Sequence, residues 1–253
     1  MLRLVLKRLL AALPNLLGVI VITFILTRAL PGDPAAYFAG GAATQEAVDQ
    51  VRAQLGLDKP LPEQFLRYLA ALVRGDLGLS LTTGQPVMQE LLQRLPASLE
   101  MVLLALLTAC AVALPLGVLA ATRPGSWIDQ LCRVLTTAGV SLPTFFTGLL
   151  LSYVFYFLLG WAPSPLGRLD PMFSPPAQVT GLYLVDAALA GDGAMWWAAL
   201  KQLVLPVVTM ALFVLAPIAR MTRASMLAVL SADFVRTARA SGLSKGTVLV
   251  TYA

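Results

Sequence analysis

The most informative polar residues lie between Ser231 and Gly242, a stretch that the sequence predicts to be one short helix. Ser231 is a residue type that caps helix starts, and Asp233 would place a negative charge in the first turn, where the helix dipole favours it. Gly242 suits the left-handed conformation that ends many helices, and Ser244 can cap a following helix. The pattern therefore indicates a surface helix that binds a protein or lipid.

The faces of this predicted helix allow two interpretations. Phe234, Val235 and Ala238 are expected on one apolar face, whereas Arg236 and Arg239 face elsewhere. An exposed apolar face on a short helix between membrane spans is typical of a docking element for another protein. A basic helix that rests on anionic lipid would have the same composition. The residues alone do not separate the two interpretations.

The sequence lacks the commonest catalytic and metal-binding residue type and the familiar nucleotide-binding motifs. It contains no His, which is both the commonest general base and the commonest metal ligand. Cys110 and Cys132 lie in or beside apolar runs, where cysteine behaves as a small buried hydrophobic residue. The sequence has no G-x-x-x-x-G-K-[ST] phosphate loop and no G-x-G-x-x-G turn. We therefore predict no enzyme activity, no ATP binding, no cofactor and no metal.

The bulk composition places the chain in a membrane. Of its 253 residues, 58% are hydrophobic and only 12% are charged, and the mean hydropathy is +0.80. Soluble domains carry about 25% charged residues, so this chain has too little polar material to cover a globular surface. In a membrane protein the placement of positive charge matters more than the net value, here +5. We predict contact with membrane lipid and no nucleic-acid partner.

Four uncharged apolar runs are long enough to cross a bilayer, for which about 20 residues suffice. They cover residues 9–27, 101–122, 134–167 and 202–219, and the helix of the third run is expected to end near Gly160. The first run is longer than the apolar core of a signal peptide and is interpreted as a retained helix. The predicted fold is all-α, a polytopic transmembrane helical bundle.

The placement of charge predicts the orientation in the membrane. With the N-terminus inside, the inner segments carry ten basic and two acidic residues, and the outer segments carry eight basic and eleven acidic residues. The inside is then +8 and the outside −3, so the basic excess selects a cytoplasmic N-terminus and C-terminus.

The interiors of the four runs contain no charge, which argues against a proton-coupled carrier and against an intramembrane protease. Glu100 and Arg28 lie at the ends of runs. We expect them to be boundary residues that reach water along the membrane surface.

Residues 31–95 form a long outer segment with three amphipathic patterns at helical spacing. Gly56 and Gly75 follow the first two patterns as expected helix stops, and Pro96 follows the third. The apolar positions are Ala47, Val48, Val51 and Leu55, then Phe65, Leu66, Leu69, Leu72 and Val73, then Val87, Met88, Leu91, Leu92 and Leu95. These helices would lie on the membrane or on other helices, either as plain packing or as a lid over a substrate path. A second outer loop covers residues 161–197.

Four ordered motifs run through the chain. They are Leu30-Pro-Gly-Asp-Pro-Ala35; Gly75-Asp-Leu-Gly-Leu-Ser80 with Pro86-Val87 and Arg94-Leu-Pro96 after it; Ala219-Arg-Met-Thr-Arg-Ala-Ser-Met226; and Arg236-Thr-Ala-Arg-Ala-Ser-Gly242-Leu-Ser244. Together they resemble the permease subunits of bacterial binding-protein-dependent ABC importers, in the peptide/nickel (dipeptide/oligopeptide permease B-like) branch. The family's cytoplasmic loop has Glu-Ala-Ala, three residues and Gly. Here Arg236, Thr237 and Ala238 take the first three places and Gly242 the last, without the Glu, which is usual in the peptide branch.

The resemblance implies a type I ABC importer permease fold with six spans, of which four are present. We interpret the chain as a permease that is truncated after the cytoplasmic coupling loop. Residues 1–30 would be the N-terminal tip and first span, and residues 31–95 the periplasmic segment. Residues 96–253 would be the permease core, with the second periplasmic loop at 161–197 and the coupling segment at 226–253.

The resemblance also implies partners. A second homologous permease, two ABC ATPase subunits and a periplasmic or lipid-anchored substrate-binding protein are expected in the bacterial inner membrane assembly. ATP would be hydrolysed in the ATPase subunits, and Phe234, Val235 and Ala238 would lie in an ATPase groove. The implied coupling residues are Phe234, Val235, Arg236, Thr237, Ala238, Arg239, Ala240, Ser241 and Gly242.

The expected cargo is a di- or oligopeptide that crosses a pore between the two permeases. Nickel or another small solute is the alternative cargo. A membrane scaffold or degraded permease that no longer transports is an alternative of another class. The residues do not identify the solute, because in this branch the binding protein selects it.

Overall fold

The computed structural model describes residues 2–29, 33–40, 43–80 and 82–252. Within these residues the chain forms eleven α-helices and no β-strand, which confirms the all-α prediction. Of the motif from Leu30 to Ala35, residues 30–32 lie outside the described part. The helices are α1 (Leu2–Ala29), α2 (Pro34–Ala39), α3 (Gln45–Gln54), α4 (Leu61–Val73), α5 (Val87–Thr122), α6 (Trp127–Ser141), α7 (Thr144–Leu151), α8 (Tyr183–Leu189), α9 (Gly193–Leu230), α10 (Asp233–Ala240) and α11 (Lys245–Thr247). π-helical segments at Ser152–Leu158 and Val248–Tyr252 extend α7 and α11.

In the described part of the chain, three helices, α1, α5 and α9, are long and apolar enough to cross a membrane. The third predicted run is a pair of helices, α6 and the extended α7, bent by 106°, and it makes a fourth span if the pair counts as one. The bend falls where Leu142 is extended (ψ 127°) before Pro143. A residue before proline avoids helical conformation and proline has no N–H to donate, so a straight helix cannot continue here. Gly160, with φ +63°, follows the extended α7 near its predicted end.

The third amphipathic pattern of the outer segment is not a separate helix, and here the prediction was wrong. Residues 87–95 form the first turns of α5, which continues through Pro96 and Pro115 to Thr122. A proline inside a helix removes one backbone hydrogen bond, and in a long membrane helix neighbouring groups or water can satisfy the freed carbonyl. Pro96 therefore lies within a helix and does not end one.

The chain divides into two compact units, residues 1–92 and 93–253. In the first unit, α4 packs against the end of α1. The ring of Phe24 lies 5.1 Å from that of Phe65 and 5.8 Å from that of Tyr68. Arg28 Nε donates to Gln64 Oε1 at 2.8 Å, so this arginine has a partner on α4. The further division of this unit at residue 30 stays a prediction.

The remainder of the first unit, after α1, contains the short helices that were predicted from spacing. α3 and α4 are followed by Gly56 (φ +66°) and Gly75 (φ +80°), and both predicted stops are confirmed. The sequence analysis missed α2. Asp33 caps α2 through the N–H of Ala35 and forms an ion pair with Arg52 of α3. The hydrogen bond from Arg52 holds the pKa of Asp33 below its ordinary value.

Small residues build the core of the second unit, in which α5 and α6 pack on α9. Alanines at four-residue spacing put one narrow face of α5 inward. At Gly117 an added Cβ would lie 2.8 Å from Thr222 Cβ, and at Gly139 it would lie 3.0 Å from the carbonyl oxygen of Leu212. Such small positions let membrane helices approach closely. Cys132 is buried in this core as predicted, and Cys110 is half-buried. The buried core residues are Ala105, Ala109, Ala113, Ala120, Cys132, Leu203, Val207, Ala211, Leu215 and Ala219.

Candidate functional site

The predicted recognition segment forms α10, which follows α9 after two residues. The N-cap is Ala232, in an extended conformation and with no side-chain hydrogen bond. Ser231, the predicted cap, instead ends α9 in a helical conformation and donates from Oγ to the carbonyl oxygen of Ala228 at 2.8 Å. Asp233 lies in the first turn as predicted and pairs with Arg236 at 3.5 Å on the surface.

α10 ends where the sequence predicts. Gly242 has φ +80°, and its N–H donates to the carbonyl oxygen of Arg239 at 3.0 Å. An added Cβ at Gly242 would meet nothing within 4 Å, so the requirement for glycine lies in the backbone conformation. Ser244 caps the next helix, because its Oγ accepts from the N–H of Thr247 at 3.1 Å.

The apolar residues of α10 are divided between the interior and the surface. Val235 and Ala238 are buried against Val248, which the chain brings back after the turn at Gly242. Phe234 is 54% exposed. The three residues therefore do not form one surface face, and only Phe234 remains available to a partner. The polar and small residues of the segment are exposed: Arg236, Thr237, Arg239, Ala240, Ser241 and Gly242.

A buried ion cluster joins the start of α6 to α9. Asp129 has no exposed surface, and its carboxylate accepts from Arg223 at 2.6 Å (Nε to Oδ1) and 3.1 Å, and from Arg133 at 2.7 Å. The N–H of Gly125 donates to the same carboxylate at 3.0 Å. Arg220, one turn before Arg223, donates to the carbonyl oxygen of Thr136 at 3.4 Å.

Sequence reasoning missed this cluster. Asp129 entered only as one of two acidic residues on the predicted inner side, and Arg223 as a letter of the motif from Ala219 to Met226. The structure gives the motif a physical role, because both its arginines bind α6. The only available signal was an Asp near the start of one apolar run and an Arg just after another, which is a common pattern.

A second cluster fixes the loop between α7 and α8 to α5. Glu100 is only 5% exposed, and it accepts from Arg168 at 2.9 Å and from the N–H of Leu184 at 2.7 Å. The Arg168 guanidinium also lies 3.7 Å from the ring centroid of Tyr183. Glu100 was expected to reach water at a span end, and this expectation was wrong. Burial of a carboxylate is tolerated when it is paired and hydrogen-bonded; here the loop supplies the ion pair through Arg168, and α8 supplies the hydrogen bond through Leu184.

Asp186 of α8 organises the same loop. It accepts from the hydroxyl of Thr180 at 2.7 Å and from the N–H groups of Thr180 at 2.8 Å and Gly181 at 2.9 Å. Burial alone would raise the pKa of Asp186, but these hydrogen bonds outweigh it and hold the pKa below its ordinary value. The carboxylate therefore stays ionised at neutral pH and keeps the loop folded around it.

These features define a helical, multi-span membrane protein whose polar chemistry lies in two ion clusters and one short connecting helix. The comparisons with known proteins are more specific. Residues 113–253 match the family described as "Binding-protein-dependent transport system inner membrane component", and residues 1–102 match the N-terminal membrane component of the same kind of system. The chain belongs to this family, and it is a multi-pass permease component of a binding-protein-dependent ABC importer.

Several dipeptide permeases are similar to this chain over nearly its whole length. The probable D,D-dipeptide transport system permease protein DdpB of Escherichia coli K12 is 46% identical over 236 residues, which cover 93% of this chain and 69% of that protein. The di/tripeptide permease DppB of Pseudomonas aeruginosa UCBPP-PA14 is 42% identical over 258 residues, covering 100% and 75%. The dipeptide permease DppB of Alkalihalophilus pseudofirmus is 36% identical over 253 residues, also covering 100% and 75%.

Proposed function

We propose that this chain forms one half of a translocation pore for di- and oligopeptides, together with a second homologous permease. Two ATPase subunits on the cytoplasmic side would supply the energy, and a periplasmic or lipid-anchored binding protein would deliver the substrate. The relatives support a peptide cargo, because they are described as permeases for D,D-dipeptides, dipeptides and di/tripeptides. ATP would be bound and hydrolysed in the partner subunits, and this chain would follow them between conformations.

The observation that supports a coupling role is that α10 is buried on one side and exposes an aromatic residue on the other. Val235 and Ala238 hold one side of α10 in the core of its own chain, while Phe234 projects outward with 54% of its surface exposed. A large aromatic side chain on a rigid support is suited to fill a groove of an ATPase subunit, since aromatic residues bury a large apolar area and contribute strongly to interfaces. Movement of that groove would then be passed through α10 to α9.

Two alternatives follow from the sequence. Nickel or another small solute would replace the peptide without changing the coupling role. A scaffold that no longer transports would leave Phe234 without a partner, and α10 would rest on lipid. One reconstituted transporter can distinguish both alternatives from the proposed peptide permease.

The test is Phe234→Ala in the complete transporter, reconstituted in proteoliposomes with its second permease, ATPase subunits and binding protein. We expect peptide uptake and peptide-stimulated ATP hydrolysis to fall together, because truncating an aromatic anchor costs about 2 kcal/mol or more of binding free energy. The matched control is Phe173→Ala in the second outer loop, where the phenylalanine is 38% exposed. This control should transport at the native rate.

Membrane levels of both variants are measured by immunoblot, and wild-type uptake is measured with labelled dipeptide and with nickel ions. Wild-type uptake of nickel without peptide would replace the proposed cargo. Native rates in Phe234→Ala would remove α10 from the coupling path and support a helix that rests on lipid. Absence of any uptake by the wild-type assembly would support the scaffold alternative.

A further inference from the structure

A half-open cavity of about 400 Å³ lies between α7 and α9, beneath the proline-rich loop that follows the extended α7. Gly148 and Ser152 line one wall, and Thr209 and Met210 line the other. Cavities of about 300–1,000 Å³ are the usual size of small-molecule sites. A mixed apolar and hydroxyl lining suits a ligand whose side chains vary but whose backbone is polar.

The roof of this cavity is held in place by α9. Gln202 Nε2 donates to the carbonyl oxygens of Ser164 at 3.0 Å and Leu166 at 3.3 Å. The N–H groups of Trp161 and Ala162 both donate to the carbonyl oxygen of Phe155, at 2.8 and 3.0 Å. The loop is therefore fixed over the cavity by side-chain and backbone hydrogen bonds, and the space beneath it is preformed.

Lys201 is the cation of this cavity. It lines the cavity next to Gln202, and none of the lining residues, all of which are described, is acidic. Its Nζ lies 5.6 Å from the ring centroid of Trp197, and it forms no ion pair with any carboxylate in the described part of the chain. Among the other basic residues of the predicted outer segments, Arg52, Arg67 and Arg168 form ion pairs, whereas Arg28 and Arg74 donate to uncharged oxygen atoms of Gln64 and Ala70.

We infer that this cavity is a binding station for the transported peptide, in which Lys201 receives the terminal carboxylate. A cation with no protein carboxylate beside it, at the edge of a preformed cavity, is complementary to an anionic group that arrives with the ligand. The backbone N–H of Ser152 donates to the carbonyl oxygens of Gly148 and Leu149, but its hydroxyl forms no hydrogen bond within the described residues and can bond a peptide amide. Thr209 Oγ1 donates to the carbonyl oxygen of Leu205 at 2.8 Å and keeps lone pairs that can accept. The inference rests on the proposed peptide transport.

The test compares Lys201→Met with Lys201→Arg in the reconstituted transporter. A charge-assisted hydrogen bond is worth enough for loss of the cation to slow dipeptide uptake by roughly tenfold, whereas arginine should retain most of the rate. The effect should be specific to the carboxylate. A dipeptide and its C-terminal amide are each supplied at a concentration that saturates the binding protein, and Lys201→Met should slow the first more than the second.

A second variant keeps the test decisive if Lys201→Met inserts poorly. Lys201→Cys is treated with an aminoethyl, a sulfonatoethyl or a methyl methanethiosulfonate, and the native chain and Lys59→Cys are treated in parallel. We expect only the aminoethyl reagent to restore uptake. Lys59 is the control because it is an outer lysine that pairs with Asp58.

If all three reagents rescue uptake equally, or if Lys201→Met takes up peptide at the native rate, Lys201 does not receive the peptide carboxylate. This conclusion requires that the wild-type transporter takes up peptide in the same experiment. Failure of the wild-type transporter to take up any peptide would instead reject the proposed function. The two failures are therefore distinguishable in the same experiment.

Discussion

At the scale of single residues, Gly242 is a position where the backbone conformation alone accounts for the presence of glycine. Its φ is +80°, and the space where a side chain would extend is open. A substitution there would meet no steric clash with its surroundings. It would carry only the cost of a left-handed conformation, about 1–2 kcal/mol for a residue with a Cβ.

We therefore expect Gly242→Ala to lower the number of peptides transported per ATP hydrolysed in the complete transporter, without lowering the amount of protein in the membrane. The added strain favours a different exit from α10 and thus a different position of Phe234. The measurement is the ratio of uptake to phosphate release in proteoliposomes.

The matched control is Gly193→Ala at the start of α9. An added Cβ there also meets nothing within 4 Å, but the backbone at Gly193 has no positive φ. This variant should keep the native ratio, since alanine fits a helix better than glycine. An unchanged ratio in Gly242→Ala would show that the direction of the turn does not matter for coupling.

Residue-level reasoning from the sequence succeeded where the cause is local. Gly56, Gly75, Gly242 and Ser244 were predicted correctly, because stops and caps depend on a few neighbouring residues. Glu100 was not, since its burial depends on Arg168, which is 68 positions away. A charged residue at a span end gives no sign of whether water or a distant partner will satisfy it.

At the scale of elements, the pairing of α6 with α9 depends on a carboxylate with no exposed surface. Arg223 contacts both oxygens of Asp129, and Arg133 contacts one of them. Removing one partner from a buried ion pair leaves the other charge uncompensated. Replacing both partners by apolar residues is often tolerated.

We expect Asp129→Asn to lower the apparent Tm of the purified chain in nanodiscs by several degrees, because two guanidinium groups lose their charged partner. The double variant Asp129→Leu with Arg223→Met should recover a substantial part of this loss. The control is Glu63→Gln, which removes the ion pair between Glu63 and Arg67. Both side chains of this pair are exposed to solvent, so the Tm should change little. Equal Tm values for Asp129→Asn and Glu63→Gln would contradict a stabilising role of the cluster.

Apolar periodicity predicted most of the helices, but it did not predict where several of them break or end. The bend at Leu142 and Pro143 lies inside a continuous apolar run, and a proline in such a run is compatible with either a kink or a break. α5 shows the opposite case, since Pro96 lies within a helix that continues. The face of α10 was assigned wrongly because Val248, which covers Val235 and Ala238, comes from beyond the turn.

At the scale of the whole molecule, the orientation in the membrane stays a prediction from the charge balance of +8 inside and −3 outside. We expect Asp49→Cys to react with an impermeant thiol reagent on intact spheroplasts and Arg239→Cys to react only after lysis. Both positions are exposed, so protection would report the membrane and not burial. The background is Cys110→Ala with Cys132→Ala, and this parent should stay unlabelled. Labelling of Arg239→Cys but not of Asp49→Cys on intact spheroplasts would invert the topology.

One helix, α9, extends for 38 residues from the loop after α8 to Leu230, and two residues separate it from α10; its length is about 57 Å. Lys201 lies near its start, and Leu230 lies at its end. If both proposed sites act on this one rod, they are thermodynamically linked, and linkage is reciprocal. The factor by which nucleotide-bound ATPase subunits change the affinity of the cavity beside Lys201 for its solute must then equal the factor by which the solute changes their affinity for α10.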